Sequence, residues 1–145
     1  MPGNFALIEE SPTALPFGDD RFDLIYAFSV FTHLSEPVTR AAMAVLIDAL
    51  APNGLLVLTV REVEFWRVSE SLAQADVAAL VAAYERTGFA FRPHTQDFGD
   101  TVISLEWFRG AFPQLEIAGY DWGMNDSDQI VVYLRPGWRF PQPGG

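Results

Sequence analysis

Two polar residues, Thr32 and His33, end an apolar run that begins at Phe22. Histidine is the side chain whose ordinary pKa lies nearest neutral pH, so it is the residue type best suited to accept or release a proton during a reaction. His33 is therefore the candidate catalytic residue, as a general base. The alternative is a structural role, in which His33 ends the strand and hydrogen-bonds the helix that Ser35 begins.

The composition excludes several kinds of chemistry and partner. The chain has 145 residues, 50% of them hydrophobic and 14% aromatic, which suits one domain with a packed core. Cysteine is absent, so disulfides and thiolate chemistry are excluded, and two histidines without cysteine do not make the usual structural zinc site. The net charge of −10 repels phosphate backbones and anionic lipid, so we expect neither nucleic acid nor membrane as partner.

Other candidate sites are weaker, and no metal site is predicted. Asp19, Asp20 and Asp23 lie in and beside a turn, where solvated acids are favoured over cation ligands. His94 follows a proline and is interpreted as a surface residue, and the kinase-like tripeptide Asp97-Phe98-Gly99 lacks its catalytic companions. The first residues, MPGNFALIEE, lack the pattern of a signal peptide, which predicts a cytoplasmic protein.

Apolar patterning predicts a strand, a helix and a second strand in the first half of the chain. Residues 22–31 are apolar almost without alternation, which is typical of a strand buried on both faces. Ser35 is the predicted cap of a helix that ends at the Ala-Pro-Asn-Gly of residues 51–54, and residues 55–60 form the second strand. These lengths predict a parallel βαβ unit with a right-handed crossover.

The flanking segments are predicted from shorter patterns. Residues 5–8 suggest a short strand, Ser69 or Ser71 begins a helix that ends near Gly88, and spaced aromatic residues suggest a short helix before residue 112. Residues 115–120 and 129–134 form an antiparallel hairpin around a polar turn. The Pro/Gly-rich residues 137–145 are predicted to be disordered.

The chain resembles the second half of class I S-adenosylmethionine-dependent methyltransferases of the type 11/12 group. Two stretches carry most of this resemblance: LPFGDDRFDLIYAFSVFTHLSEP and LAPNGLLVLTVRE. GDTVISLEWFRGAF and DQIVVYLRP resemble the closing segments of the same group. The resemblance implies an α/β fold of three layers with a Rossmann-like sheet in the strand order 3-2-1-4-5-7-6. Residues 5–10, 22–31 and 55–60 then correspond to strands three, four and five, and the closing hairpin to strands six and seven.

Strands one and two of that sheet have no counterpart in the resemblance, so residues 1–136 are predicted to be a truncated domain, strands three to seven of seven. The family's glycine-rich loop follows strand one, and this sequence contains no G-x-G. The implied cofactor is S-adenosyl-L-methionine, and we expect the isolated chain to bind it weakly or not at all.

The resemblance also implies cofactor-binding residues. Ser11 occupies the position of the acid that contacts the adenine amino group, and Glu10 is a possible substitute for that acid. Pro12 occupies the position of a backbone N–H donor, which proline lacks. Ala27 and Phe28 match positions that line the methionine half of the cofactor.

The remaining implied residues concern the acceptor. Thr32 and His33 match positions that face it, and the region of Trp107 roofs the acceptor pocket in relatives, although Trp107 is most simply a core residue. Relatives encoded beside sugar transferases suggest a carbohydrate or other small-molecule acceptor.

The predicted strand at residues 22–31 lacks one neighbour, and an exposed apolar strand tends to pair or aggregate. Residues 5–10 pairing beside it, a symmetric homodimer through it, or a separate N-terminal half would each fill the gap. The chain is accordingly either a portion of a methyltransferase or a non-catalytic, methyltransferase-like dimerising or binding module.

Overall fold

The computed structural model describes residues 14–122 and 129–137. The predicted strand at residues 5–10, the turn at 123–128 and the tail after residue 137 lie outside the described residues. Within the described ranges, no helix is long and apolar enough to cross a lipid bilayer. The elements, in chain order, are β1 Phe22–Ala27, α1 Glu36–Ala49, β2 Leu50–Arg61, α2 Glu64–Arg67, α3 Gln74–Thr87, β3 Phe89–Pro93, β4 Gly99–Ile103, α4 Leu105–Ala111, β5 Leu115–Trp122 and β6 Gln129–Pro136.

Four strands form the main sheet, in the order β1-β2-β6-β5. β1 and β2 are parallel, with Ile25 opposite Leu56 and Ala27 opposite Leu58, while β6 runs antiparallel to both β2 and β5. The predicted βαβ unit and closing hairpin are therefore confirmed. This order is also the 4-5-7-6 part of the sheet that the family resemblance implies.

The first two strands differ in length from their predicted bounds. β1 ends at Ala27 rather than residue 31, because Ser29 adopts a left-handed backbone with a φ of 54° and turns the chain out of the sheet. β2 begins at Leu50 rather than residue 55, because α1 leads directly into it and Phe22 pairs with Leu50 before a bulge. Pairing between strands thus overrides the turn signal of the Ala-Pro-Asn-Gly stretch.

The segment between α3 and α4 contains a hairpin that the sequence did not predict. β3 and β4 pair antiparallel and form a separate two-stranded sheet. The predicted start of α3 at Ser69 or Ser71 is wrong, since the helix begins at Gln74, but its end is confirmed because Gly88 caps it with a left-handed φ of 76°. α4 confirms the short helix predicted before residue 112.

One face of the main sheet is covered and the other is open. Leu56, Leu58 and Val60 are fully buried in the core that the sheet forms with α1 and α4. On the opposite face, Leu24 and Tyr26 are 59% and 76% exposed. The prediction that β1 is buried on both faces is therefore wrong for the described structure, because the helices that form the main core with this sheet, α1 and α4, pack on its other side. We call the residues of the second side the open face: Leu24, Tyr26, Phe28, Val57 and Tyr133.

A second, smaller core lies under α3, and Tyr84 borders it. The Tyr84 hydroxyl donates a hydrogen bond to the Glu62 carboxylate, and burial, followed by this hydrogen bond and the charge of Glu62, raises the pKa of Tyr84 well above its ordinary value. The unfolded chain releases this proton at a lower pH than the folded chain, so folding stability falls as the pH rises above about 10.

Replacing Tyr84 with phenylalanine removes the titrating group, so we expect the loss of unfolding free energy as the pH rises above about 10 to be shallower than in the unmodified chain. Urea unfolding at each pH gives the free energy of unfolding, and its change with pH gives the slope. Tyr133→Phe is the control: the Tyr133 hydroxyl donates to Asp121 at an exposed position, and its removal should alter the slope less. Equal slopes for the Tyr84 variant and the unmodified chain would contradict the account.

Candidate functional site

The candidate functional side chains lie close together at the carboxyl ends of β1 and β2. Open α/β sheets bind their ligands at this edge, because the loops that follow parallel strands converge there. His33 lies in the loop after β1, and Arg61 is the last residue of β2. The β3–β4 hairpin lies against the same loop: the Thr101 amide donates to the Thr32 carbonyl at 2.9 Å, and the Gly99 amide donates to the His33 carbonyl at 2.9 Å.

The imidazole of His33 is held in one orientation. Its Nδ1 lies 2.8 Å from the Gly99 carbonyl oxygen, and its ring stacks on Phe98 with 5.2 Å between centroids and 18° between planes. A carbonyl only accepts hydrogen bonds, so the neutral imidazole carries its proton on Nδ1 and its lone pair on Nε2. The side chain is 28% exposed. His33 therefore has the tautomer that a general base acting through Nε2 requires.

Glycine is required at position 99 for this arrangement. A Cβ atom there would lie 2.0 Å from the Arg92 carbonyl oxygen, which is far inside van der Waals contact. The close pairing of β3 and β4 at this point brings the Gly99 carbonyl within reach of His33. Residue 99 thus links the hairpin geometry to the orientation of the imidazole.

Asp100 is the centre of a cluster of cationic and titratable side chains. Its Oδ1 lies 3.6 Å from Arg61 Nη1 and 4.0 Å from His33 Nδ1. Its Oδ2 lies 3.0 Å from His94 Nε2 and 3.8 Å from Arg92 Nη1. The Asp100 side chain is only 18% exposed. We call Asp100, Arg61, Arg92 and His94 the Asp100 cluster; two guanidinium groups share one carboxylate within it.

Arg61 is fixed by three further features of its surroundings. Its Nη1 donates to the Thr32 carbonyl at 3.4 Å, and its guanidinium lies 4.2 Å from the centre of the Phe65 ring. Its side chain is 15% exposed. Stacking on an aromatic ring and hydrogen bonding to the backbone hold a guanidinium in place before any ligand arrives.

Ser29 lies where the chain leaves β1, four residues before His33 and at the same edge of the sheet. Its left-handed backbone costs about 1–3 kcal/mol for a residue other than glycine, and such strain is common at functional sites. The Ser29 amide donates to Thr59 Oγ1 at 2.8 Å, and Gln129 Nε2 donates to Ser29 Oγ at 2.7 Å. These contacts join β1, β2 and β6 where the chain leaves β1.

The two predicted acceptor residues other than His33 are buried. Thr32 is 0% exposed, and its hydroxyl has no hydrogen-bond partner within the described part of the chain. Trp107 is 7% exposed and packs against Phe89, Phe108 and Phe112, with the Arg40 guanidinium 4.9 Å above its ring. Thr32 directly precedes His33 in the loop after β1. The ring of Trp107 packs in the main core, among aromatic side chains of α4 and its neighbours.

The predicted cofactor residues are divided between described and undescribed parts of the chain. Glu10, Ser11 and Pro12 lie outside the described residues. Ala27 and Phe28 line an apolar groove of about 310 Å³ on the open face.

The lining of this groove does not fit S-adenosylmethionine. Its side chains that can hydrogen-bond are Tyr26, Thr59 and Tyr133; Thr59 accepts from the Ser29 amide and Tyr133 donates to Asp121. A ribose diol and a charged amino acid need several free polar partners. The lining of this groove is therefore a mainly apolar wall and does not supply the polar set that the cofactor would require.

The Asp100 cluster contains the functional candidates that the sequence analysis missed. His94 is a surface residue, as predicted, and its side chain is about half exposed, but it also contacts Asp100. Phe98, from the tripeptide interpreted as chance, stacks on His33. The sequence signal that could have located this cluster is the presence of Arg92, His94 and Asp100 among apolar residues on either side of a short polar stretch. Such a pattern predicts a hairpin only weakly. Among the described residues, no group of His, Asp and Glu is arranged to hold a metal ion.

Comparisons with known proteins agree with the fold described above. Residues 2–58 match the family described as methyltransferase domain. The glycopeptide N-methyltransferase MtfA has a TM-score of 0.54 at 16% identity, and the match covers 89% of this chain and 59% of MtfA. An S-adenosylmethionine-dependent methyltransferase from Clostridium acetobutylicum ATCC 824 has a TM-score of 0.58 at 10% identity, covering 92% of this chain and 64% of that protein. The PH0226 protein from Pyrococcus horikoshii OT3 has the same TM-score at 12% identity, with coverages of 89% and 57%.

The sheet order and the structural matches show the class I methyltransferase fold, and residues 2–58 match the methyltransferase family model. The predicted resemblance to the S-adenosylmethionine-dependent methyltransferases is confirmed. No curated protein matches this chain in sequence. The chain spans between 57% and 64% of the length of the three solved structures.

Proposed function

We propose that this chain forms the acceptor side of an S-adenosylmethionine-dependent methyltransferase, with His33 as its general base. The single observation that supports this best is the contact of 2.8 Å between His33 Nδ1 and the Gly99 carbonyl oxygen. It leaves the lone pair of Nε2 available at the edge of the sheet where acceptors bind in this fold. The acceptor that we propose is a small molecule or a sugar with a hydroxyl or amino group.

In the proposed reaction, the residues of this chain orient the acceptor and remove its proton. Nε2 of His33 would accept the proton from the acceptor oxygen or nitrogen as that atom bonds to the methyl carbon; the methyl–sulfur bond would break, and its electron pair would stay on the sulfur of the departing thioether. The Gly99 carbonyl stabilises the resulting imidazolium, because its hydrogen bond from Nδ1 strengthens when the ring becomes charged. S-adenosylmethionine supplies a methyl group that is already activated, so orientation and exclusion of water are the main tasks of the protein.

The cofactor itself is proposed to be held mainly by polypeptide outside these 145 residues. The sequence has no G-x-G, and the lining of the groove at Ala27 and Phe28 does not offer the polar partners that the cofactor needs. We propose that this additional polypeptide also covers the open face and pairs with β1. Glu10, Ser11, Pro12, Ala27 and Phe28 remain the residues proposed to contact the cofactor from this side. The isolated chain is then weakly active or inactive.

An experiment with a longer protein tests the proposal. The nucleotides upstream of the Met1 codon are read for an in-frame glycine-rich loop, and the protein that includes it is produced beside the 145-residue chain. Transfer of a labelled methyl group from S-adenosylmethionine to a panel of amino and hydroxyl acceptors is then measured. The proposal expects transfer by the longer protein only. Absence of an upstream loop, with no transfer by any form, would overturn it.

A second candidate function is a non-catalytic module that dimerises or binds a partner. The open face favours it, because Leu24, Tyr26 and Phe28 present apolar side chains that are 59%, 76% and 56% exposed. A homodimer would bury these side chains. Sedimentation equilibrium of the 145-residue chain distinguishes a dimer from a monomer. Under either function, we propose a cytoplasmic location, as expected from the first ten residues. We also propose that neither nucleic acid nor membrane is a partner, as expected from the net charge of −10.

A further inference from the structure

We propose that Phe98 is a stacking platform for the acceptor, which carries a ring with a flat apolar face next to its reactive hydroxyl or amino group. This inference rests on the proposed function and deepens it, because it names the chemical class of the molecule that His33 would deprotonate. An aromatic ring and the C–H face of a sugar ring share this chemistry. Either ring would lie against the exposed part of the Phe98 side chain.

The first argument is the exposure of an apolar ring at the candidate site. Phe98 is 50% exposed, although its ring stacks on His33 and lies at 67° to the ring of His94, with 6.4 Å between those centroids. It is the only apolar side chain among residues 94–99, in a stretch that is otherwise typical of a polar turn. Single exposed aromatic residues are common on protein surfaces, so the significance of Phe98 depends on how it is held and what it lies beside.

The second argument is that the backbone of Phe98 is fixed. Its amide donates to Thr95 Oγ1 at 3.1 Å, and its carbonyl accepts from the His94 and Thr95 amides at 3.0 and 2.8 Å. An isolated β-bridge also pairs Phe98 with Leu34, the residue that follows His33. The contact between the hairpin and the loop after β1 therefore holds the platform and the base together. A ring held in this way loses little conformational entropy when a ligand binds.

The third argument is the sideways offset between the rings of Phe98 and His33. Their centroids are 5.2 Å apart and their planes differ by 18°. Stacked rings touch at about 3.5–4 Å, so the imidazole is displaced sideways by about 3–4 Å and covers only part of the Phe98 face. An acceptor ring on the rest of that face would lie beside the imidazole in nearly the same plane. The lone pair of Nε2 lies in the imidazole plane, so a group attached in the plane of the acceptor ring would approach it in the orientation that proton transfer requires.

The experiment is a titration of the isotopically labelled 145-residue chain, followed through its amide chemical shifts. Phenol and methyl glucoside are the two ring probes, and tert-butanol is an alcohol without a flat ring. We expect saturable shifts at His33, Phe98 and Gly99 with at least one ring probe, and none with tert-butanol. A response to phenol alone identifies an aromatic acceptor, and a response to methyl glucoside alone identifies a sugar. A response to both supports the ring chemistry that the two share.

Three variants make the titration specific, with their folding checked by circular dichroism. Phe98→Leu keeps an apolar side chain but removes the flat ring, so it should weaken binding of the ring probes about three- to tenfold. Phe98→Trp keeps a flat ring and should bind them at least as tightly as the unmodified chain, which a role confined to positioning His33 does not predict. Phe17→Leu is the matched control, because Phe17 is 37% exposed and packs edge-on against Phe22 at the other end of β1. Its binding should be unchanged.

Three outcomes would overturn the platform: no saturable shift with either ring probe, shifts confined to the open face at Leu24 and Tyr26, or equal weakening by Phe98→Leu and Phe17→Leu. The titration contains no S-adenosylmethionine, so its failure is distinguishable from a failure of the proposed methyl transfer. Methyl transfer to an open-chain acceptor at a rate that Phe98→Leu leaves unchanged, for example, would remove the platform and leave the proposed function in place.

Discussion

Replacing Leu58 with alanine is expected to lower the free energy of unfolding by about 2–5 kcal/mol, whereas Leu24→Ala should cost less than about 1 kcal/mol. The same atoms are removed from neighbouring parallel strands in both variants. Leu58 is 0% exposed on the helix-covered face of β2, and Leu24 is 59% exposed on the open face of β1. The cavity left by the first change cannot be filled by water or by relaxation of the strand, while the second change leaves no cavity.

Urea unfolding of the two variants and the unmodified chain, followed by tryptophan fluorescence, measures the difference. Comparable slopes of free energy against urea are needed for the comparison, because they indicate that the same surface is exposed on unfolding. If Leu24→Ala costs as much as Leu58→Ala, then the open face is covered in solution. A concentration-dependent cost would identify a second copy as the cover.

The second prediction concerns His33. In the protein that carries the cofactor-binding loop, His33→Asn is expected to lower kcat for methyl transfer by about 10²–10⁴, the usual contribution of a general base. Asparagine keeps an N–H group that can donate to the Gly99 carbonyl, so the loop after β1 and the β3–β4 hairpin should stay in place. It lacks the basic nitrogen that takes the proton.

His94→Asn is the control for that variant. His94 belongs to the Asp100 cluster but is half-exposed and touches Asp100 rather than the Gly99 carbonyl, so its loss should lower kcat far less. A structural role for His33 predicts a different pattern. In that case, His33→Asn would lower thermal stability with little change in kcat.

Much of the main sheet is predictable because its signals are local. Unbroken apolar runs predict β1 and β2, and the helical spacing between them predicts α1; together they impose a parallel pair. The ends of these strands are less predictable, because they depend on the left-handed Ser29 and on the pairing of Phe22 with Leu50. Neither feature leaves a pattern in the sequence.

The β3–β4 hairpin escapes prediction for a different reason. Each strand has five residues, β3 ends in Pro93, and the connection is polar, so no periodicity extends long enough to favour a strand. What stabilises the hairpin is its contact with the loop after β1, which includes the hydrogen bond from the Thr101 amide to the Thr32 carbonyl. Such contacts join residues about 70 positions apart in the chain.

The candidate site shows the same division. His33 is predictable from its residue type and its place after a strand, and so is the carboxyl edge on which it lies. Asp100 and Arg61 are not, because their importance arises from a cluster that three separate elements assemble. The apolar pattern of β1 is informative in another way: it predicts burial on two faces, and the described structure covers one. The apolar pattern of β1 is thus typical of a strand covered on both faces, and the described residues do not cover its open face.

Isothermal titration of S-adenosylmethionine into the purified 145-residue chain tests the central claim most directly, with sinefungin as a second ligand. The account predicts no measurable heat of binding, or a Kd weaker than about 1 mM, because the described groove is apolar and no glycine-rich loop is present. A one-to-one complex with a Kd near 1 μM would contradict it, since these 145 residues would then hold the methyl donor without any other polypeptide.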